Sequence, residues 1–75
     1  NFPAVSLAWA GQNRVSVLTK GADAAAITAA VPGVKASASA TRGDYGYFLL
    51  DTDAAVDANA IAALPGVLRV RVLNK

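Results

Sequence analysis

Ala29-Ala30-Val31-Pro32-Gly33-Val34 and Ala62-Ala63-Leu64-Pro65-Gly66-Val67 match at five of six positions and stand 33 residues apart. In each copy an alanine-rich run ends at Pro-Gly, and an alternating run opens on valine directly after it. Proline cannot continue a helix, and glycine accepts the positive φ of a helix exit, so both copies are helix-to-strand corners. Each corner needs a strand before its helix, and the flanking sequence supplies one both times.

Before the first corner, Val15 and Val17 alternate with Arg14, Ser16 and Leu18, a strand by period and by β-branching. Thr19-Lys20-Gly21 breaks it. Asp23 or Thr19 then caps a helix that runs through Val31, with Ala24, Ile27, Ala30 and Val31 at helical spacing. After the corner, Val34 to Thr41 alternates again, and Arg42-Gly43-Asp44 is a turn into a third strand, Tyr45 to Asp51. Asp53 is the expected cap of a second helix carrying Val56, Ala60, Ile61 and Leu64, and Val67 to Leu73 closes the chain as a strand. Two β-α-β units in tandem, joined by a tight turn, predict an α+β fold: a ferredoxin-like βαββαβ sandwich with a four-stranded antiparallel sheet and two helices on one face. Residues 1–13, with Val5, Leu7 and Trp9 at alternate positions before Gly11-Gln12-Asn13, are an extended lead-in. Residues 14–75 form the domain.

The alternation also predicts two unlike sheet faces. Val15, Val17, Ala36, Ala38, Phe48, Leu50, Leu68, Val70 and Val72 are expected under the helices. Arg14, Ser16, Leu18, Ser37, Ser39, Tyr45, Tyr47, Leu49, Arg69 and Arg71 are expected on the opposite, open face.

Composition limits the chemistry. Leu, Ile, Val and Phe number 20 of 75 residues, enough to fold, but 18 further apolar residues are alanine, so the core is thin. A domain this small makes up such a shortfall with disulfides, metals or partner chains, and the absence of Cys and His leaves the third. The same absence removes thiolate and imidazole catalysis and the usual zinc ligands. No catalytic residue and no metal site is expected. Asp51 and Asp53 are too few for a calcium shell of six to eight oxygens. Seven basic against five acidic residues give +2, too little for a nucleic-acid footprint. No apolar run approaches the ~18 residues of a membrane span, and the start carries no targeting signal, so a cytoplasmic protein without membrane contact is expected. A first residue other than Met points to a piece of a longer chain.

Arg42-Gly43-Asp44-Tyr45-Gly46-Tyr47-Phe48-Leu49-Leu50-Asp51, a short helix, and then Leu64-Pro65-Gly66-Val67-Leu68-Arg69-Val70-Arg71-Val72-Leu73 resemble the C-terminal ACT domain of D-3-phosphoglycerate dehydrogenases. Asn1-Phe2-Pro3-Ala4-Val5-Ser6-Leu7 resembles the segment leading into that domain. The resemblance implies a regulatory, subunit-joining module of serine biosynthesis, in which sheets of two copies lie edge to edge as a homodimer and an amino-acid effector such as L-serine sits at their junction. It implies upstream catalytic domains that use NAD, and no cofactor in this segment. By the same resemblance the effector positions fall at Thr19, Lys20, Gly21, Ala22, Asp23 and Lys35. The imidazole and amide side chains that hold serine in the family are replaced at these positions, which implies weakened, lost or altered effector binding.

A second class of function fits the same architecture. Tyr45, Tyr47, Arg69 and Arg71 on the open face would suit an RNA-recognition-like module that stacks bases on aromatic rings.

Overall fold

The computed structural model describes residues 5–75. The lead-in positions Asn1 to Ala4 lie outside the described residues. Strand β1 (Asn13–Lys20), helix α1 (Ala24–Ala29), strands β2 (Val34–Arg42) and β3 (Tyr45–Thr52), helix α2 (Ala58–Ala62) and strand β4 (Val67–Asn74) follow one another in the expected order. The strands form one antiparallel sheet in the order β2-β3-β1-β4. The two halves interleave, since β1 of the first unit lies between β3 and β4 of the second.

Both corners behave as their sequences require. Gly33 and Gly66 take φ of +63° and +85°, a region that a Cβ disfavours. The helices are shorter than the apolar spacing suggests. α1 stops at Ala29 with Ala30 as its C-cap, because the residue before Pro32 is driven away from helical φ and ψ. Asp23 caps α1, its Oδ1 accepting from the Ala25 N–H at 3.0 Å. The cap of α2 is Asp57, not Asp53: Asp57 Oδ1 accepts from the Ala60 N–H at 3.1 Å. The Asp53 carboxylate instead accepts from the Gln12 N–H and from Lys35.

Val15, Val17, Phe48 and Leu50 form the sheet side of the core, and Ile27, Val31 and Ile61 cover it. Each helix contributes one fully buried residue, Ile27 or Ile61, so each is pinned at a single point.

Two bulges correct the expected faces. In β2, Val34 opposes Thr52 and Ala36 opposes Asp51, so the extra residue Lys35 reverses the phase of the strand. Ala36 and Ala38 therefore share the open face with Asp51 and Leu49, while Ser37 and Ser39 lie on the helix side opposite Leu50 and Phe48. These serines remain exposed, because the short helices do not reach over the outer strand. In β4, Thr19 opposes Val67 and Leu18 opposes Arg69, which makes Leu68 the bulged residue. Leu68 is 55% exposed rather than core, and Val72 stays on the helix side at the sheet margin, partly exposed. A one-residue slip moves every later side chain to the other face, so two local insertions account for all five displaced positions.

Candidate functional site

The positions implied for an effector divide into two groups. Thr19 and Lys20 end β1, and Gly21 to Asp23 form the β1–α1 connection. Thr19 is buried and its hydroxyl donates to the Gly46 carbonyl at 3.3 Å. The Lys20 N–H is bonded to the Gly66 carbonyl at 2.7 Å, and its ammonium lies 5.5 Å from the Tyr45 ring. Gly21 adopts φ +69° and donates its N–H to Asp44 O at 2.8 Å. Ala22 lies against Gly66 and packs on the core. The Asp23 carboxylate serves the helix. Lys35 is elsewhere: in the β2 bulge beside Thr52 and Asp53, at the opposite end of the sheet, where it pairs with Asp53 at 3.0 Å. One protomer therefore does not bring Lys35 to the loop.

The same connection bears on the NAD that the resemblance assigns to a parent enzyme. Its single glycine is Gly21, and the Asp23 carboxylate already occupies the first turn of α1. A dinucleotide pyrophosphate needs a glycine-rich turn opening onto a free helix N-terminus, so these residues do not fit that cofactor. Among the described residues no group of three or more carboxylates is placed to hold a metal, and no helix is long and apolar enough to cross a membrane.

The open face has two different ends. Its rows, read across the strands, are Arg69, Leu18, Tyr47 and Ala40; Arg71, Ser16, Leu49 and Ala38; and Leu73, Arg14, Asp51 and Ala36. Lys20, Tyr45 and Arg42 add a further row at the loop end. Tyr45 is 43% exposed, and Ser16 donates to the Tyr47 hydroxyl at 2.7 Å. Five of the seven basic side chains, Arg14, Lys20, Arg42, Arg69 and Arg71, thus share one face. The carboxylates do not offset them there, apart from Asp51 beside Arg14 and Asp44 in the adjoining turn. Asp23 and Asp57 are on the helix side, and Asp53 is bound to Lys35.

At its other end this face is covered. Asp51 is fully buried and is bridged by Arg14 through Nε to Oδ1 at 2.7 Å and Nη2 to Oδ2 at 2.9 Å. The Ala10 N–H adds a third bond to Oδ2 at 3.0 Å, Arg14 Nη2 also donates to Leu7 O, and the Trp9 ring stacks 4.5 Å from the guanidinium carbon. The Arg14 hydrogen bond holds the Asp51 carboxyl below its ordinary range, against the opposing effect of burial, with the Ala10 N–H helping. Sequence reasoning placed Arg14 on this face but did not pair it with Asp51. The two are 37 residues apart, and the only local signal was an unlike charge at a strand position on each side.

The topology and the side to which both helices pack decide the general class. This is a small ferredoxin-like βαββαβ domain, the fold that ACT domains have in general. A comparison with protein-family models finds no match, and neither does one with curated proteins.

Proposed function

We propose that this chain is a subunit-association and regulatory module of the ACT kind, joining a second copy of itself through the β2 edge. The observation that carries this reading is the character of that edge. Between Ala36 and Thr41 it presents only Ala, Ser and Thr, without a charge, a proline or a large side chain. Edge strands are ordinarily blunted by such groups, and this one is blunted only at its Lys35 bulge and at Arg42. The β4 edge carries Arg69 and Arg71. A two-fold pairing about Val70 would set Arg69 against Arg71 of the second copy, a like-charge pair across the strands, whereas pairing about Ala38 sets Ser37 against Ser39. Pairing about Ala38 would also bring Lys35 of the second copy opposite Thr41, at the loop end of the sheet. The pair of copies would then place Lys35 of one copy at the end of the sheet that carries Thr19, Lys20, Gly21, Ala22 and Asp23 of the other, with β1 two strands in from the shared edge. With the Lys35 ammonium paired to Asp53 and the Gly21 N–H bonded to Asp44 O, these positions would make a weakened or altered effector site and a poor one for the ammonium of L-serine. Catalysis with NAD belongs to the upstream domains of the dehydrogenase that the sequence resembles.

Light scattering and sedimentation test this reading. The wild-type chain is expected to be dimeric at tens of micromolar, Ser39→Lys monomeric and folded, and Val72→Lys still dimeric. A monomeric wild type, or a dimer broken by Val72→Lys and not by Ser39→Lys, refutes it. Millimolar L-serine should leave the melting temperature unchanged.

A second reading is favoured by the gathering of Lys20, Arg42, Arg69 and Arg71 with two tyrosines on the uncovered part of one sheet face: a platform for single-stranded RNA, with bases stacked on Tyr45 and Tyr47 and phosphates met by Arg69 and Arg71. It predicts binding of an unstructured oligonucleotide that weakens steeply with salt and is lost in Arg69→Ala/Arg71→Ala. No binding at low salt sinks it.

A further inference from the structure

We infer that the face opposite the helices carries a docking site for a main-chain segment, occupied in cis by residues 7–12, and that this segment is a detachable strap rather than part of the folded core. The inference is independent of the proposed function. Side chains of the sheet and of the loop after β3 hold three main-chain groups of the strap: Arg14 binds Leu7 O, Asp51 binds the Ala10 N–H, and Asp53 binds the Gln12 N–H at 2.9 Å, while Gln12 O accepts from the Lys75 N–H at 2.8 Å. Ala10 and Gln12 flank Gly11, and a bend of the chain at Gly11 and Gln12 brings their N–H groups to the two carboxylates. Between them Gly11 is pressed onto the sheet. A Cβ added there would lie 2.7 Å from both the carbonyl carbon and the oxygen of Thr52 and 3.0 Å from its nitrogen, all main-chain atoms that cannot step aside. The site is therefore a slot. It offers two carboxylates to alternate N–H groups and a guanidinium to a carbonyl and an aromatic ring, and its floor admits only glycine between the two N–H contacts.

Detachability follows from what the strap does not supply. Among the described residues the buried cluster contains none before Val15, and the strand pairings begin at Asn13, after the strap. Arg14 and Asp51 would still bridge each other once it left. A segment held by a few polar contacts and one ring, outside the cooperative core, belongs to the low-stability end of a fold. When it leaves, the Arg14 row of the sheet is uncovered.

Trp9 is the sole tryptophan, and it rests on Arg14 when the strap is docked. Its fluorescence therefore reports docking, while far-UV circular dichroism and urea unfolding report the sheet. Docked, Trp9 is 38% exposed, so in this chain Gly11→Ala should shift its emission to the red and remove the partial protection from acrylamide that remains, with the strand signal and a single cooperative unfolding transition retained. Asp53→Ala, which removes one exposed anchor, should lose part of that protection with the fold intact. Either of two results overturns the inference: Trp9 as protected in both variants as in the wild type, or loss of the sheet together with the strap.

Discussion

The Arg14–Asp51 bridge supports a prediction that distinguishes mutual dependence from simple adhesion. Asp51→Leu leaves the guanidinium of Arg14, 9% exposed, with Leu7 O and the Trp9 ring as its contacts among the described residues. Arg14→Met leaves a fully buried carboxylate with the Ala10 N–H as its remaining donor among the described residues. Removing one partner of a buried pair costs about 3–5 kcal/mol, because the other charge stays desolvated. Against a total of roughly 4–11 kcal/mol for 75 residues, either single change should leave the chain near the edge of unfolding. The double variant Arg14→Met/Asp51→Leu removes both charges and fills the space with apolar atoms, an exchange that is often near neutral. What it still loses is the bonding of Ala10 N–H and Leu7 O, about 0.5–1.5 kcal/mol each, since both groups can turn to water. The double variant should therefore be more stable than either single one by urea unfolding followed by circular dichroism. Single losses that add to within about 0.5 kcal/mol of the double loss would show that the two groups act independently, and the reasoning would fail.

Ile27→Ala and Ile61→Ala each delete the one fully buried residue of a helix and should cost about 2–5 kcal/mol by urea titration, whereas an exposed helix position such as Asn59→Ala should change stability by less than ~0.5 kcal/mol. Acid should destabilise the fold. Asp51 is held below its ordinary pKa first by the Arg14 hydrogen bond, and Asp53 first by its hydrogen bond to Lys35, so their stabilisation is present above the unfolded carboxylate range near ~4 and is lost as pH falls through the lower folded values. The urea midpoint should drop below about pH 4, less so in Asp51→Asn, and a midpoint flat to pH 2 would contradict this. Gly66→Ala and Gly43→Ala both force a side chain into positive φ, at about 1–2 kcal/mol. Only at Gly66 would the new Cβ also meet the Lys20 carbonyl, 2.8 Å away, so thermal melts should rank Gly66→Ala as clearly the less stable of the two.

What the sequence determined by itself was whatever depends on near neighbours. The two Pro-Gly corners demand a helix exit and a positive φ wherever they occur, and the period-two runs at Val15, Phe48 and Val70 mark strands whatever they pair with. Together these suffice for the topology, because two repeated β-α-β units have few ways to share a sheet. The tertiary structure decided everything that requires two distant segments to meet. The bulges at Lys35 and Leu68 exist only relative to the strands opposite, and they alone moved Ala36, Ala38, Ser37, Ser39 and Leu68 from their expected faces. Asp53 looked like a cap from its local setting, but its carboxylate was claimed by Gln12, 41 residues earlier, leaving α2 to be capped by Asp57. The gathering of five cations on one face and the burial of Asp51 beneath Arg14, Ala10 and Trp9 are likewise properties of pairing and not of order along the chain. Local dihedral preference is written residue by residue, whereas the burial of a charge is settled only when its partner arrives across the sheet.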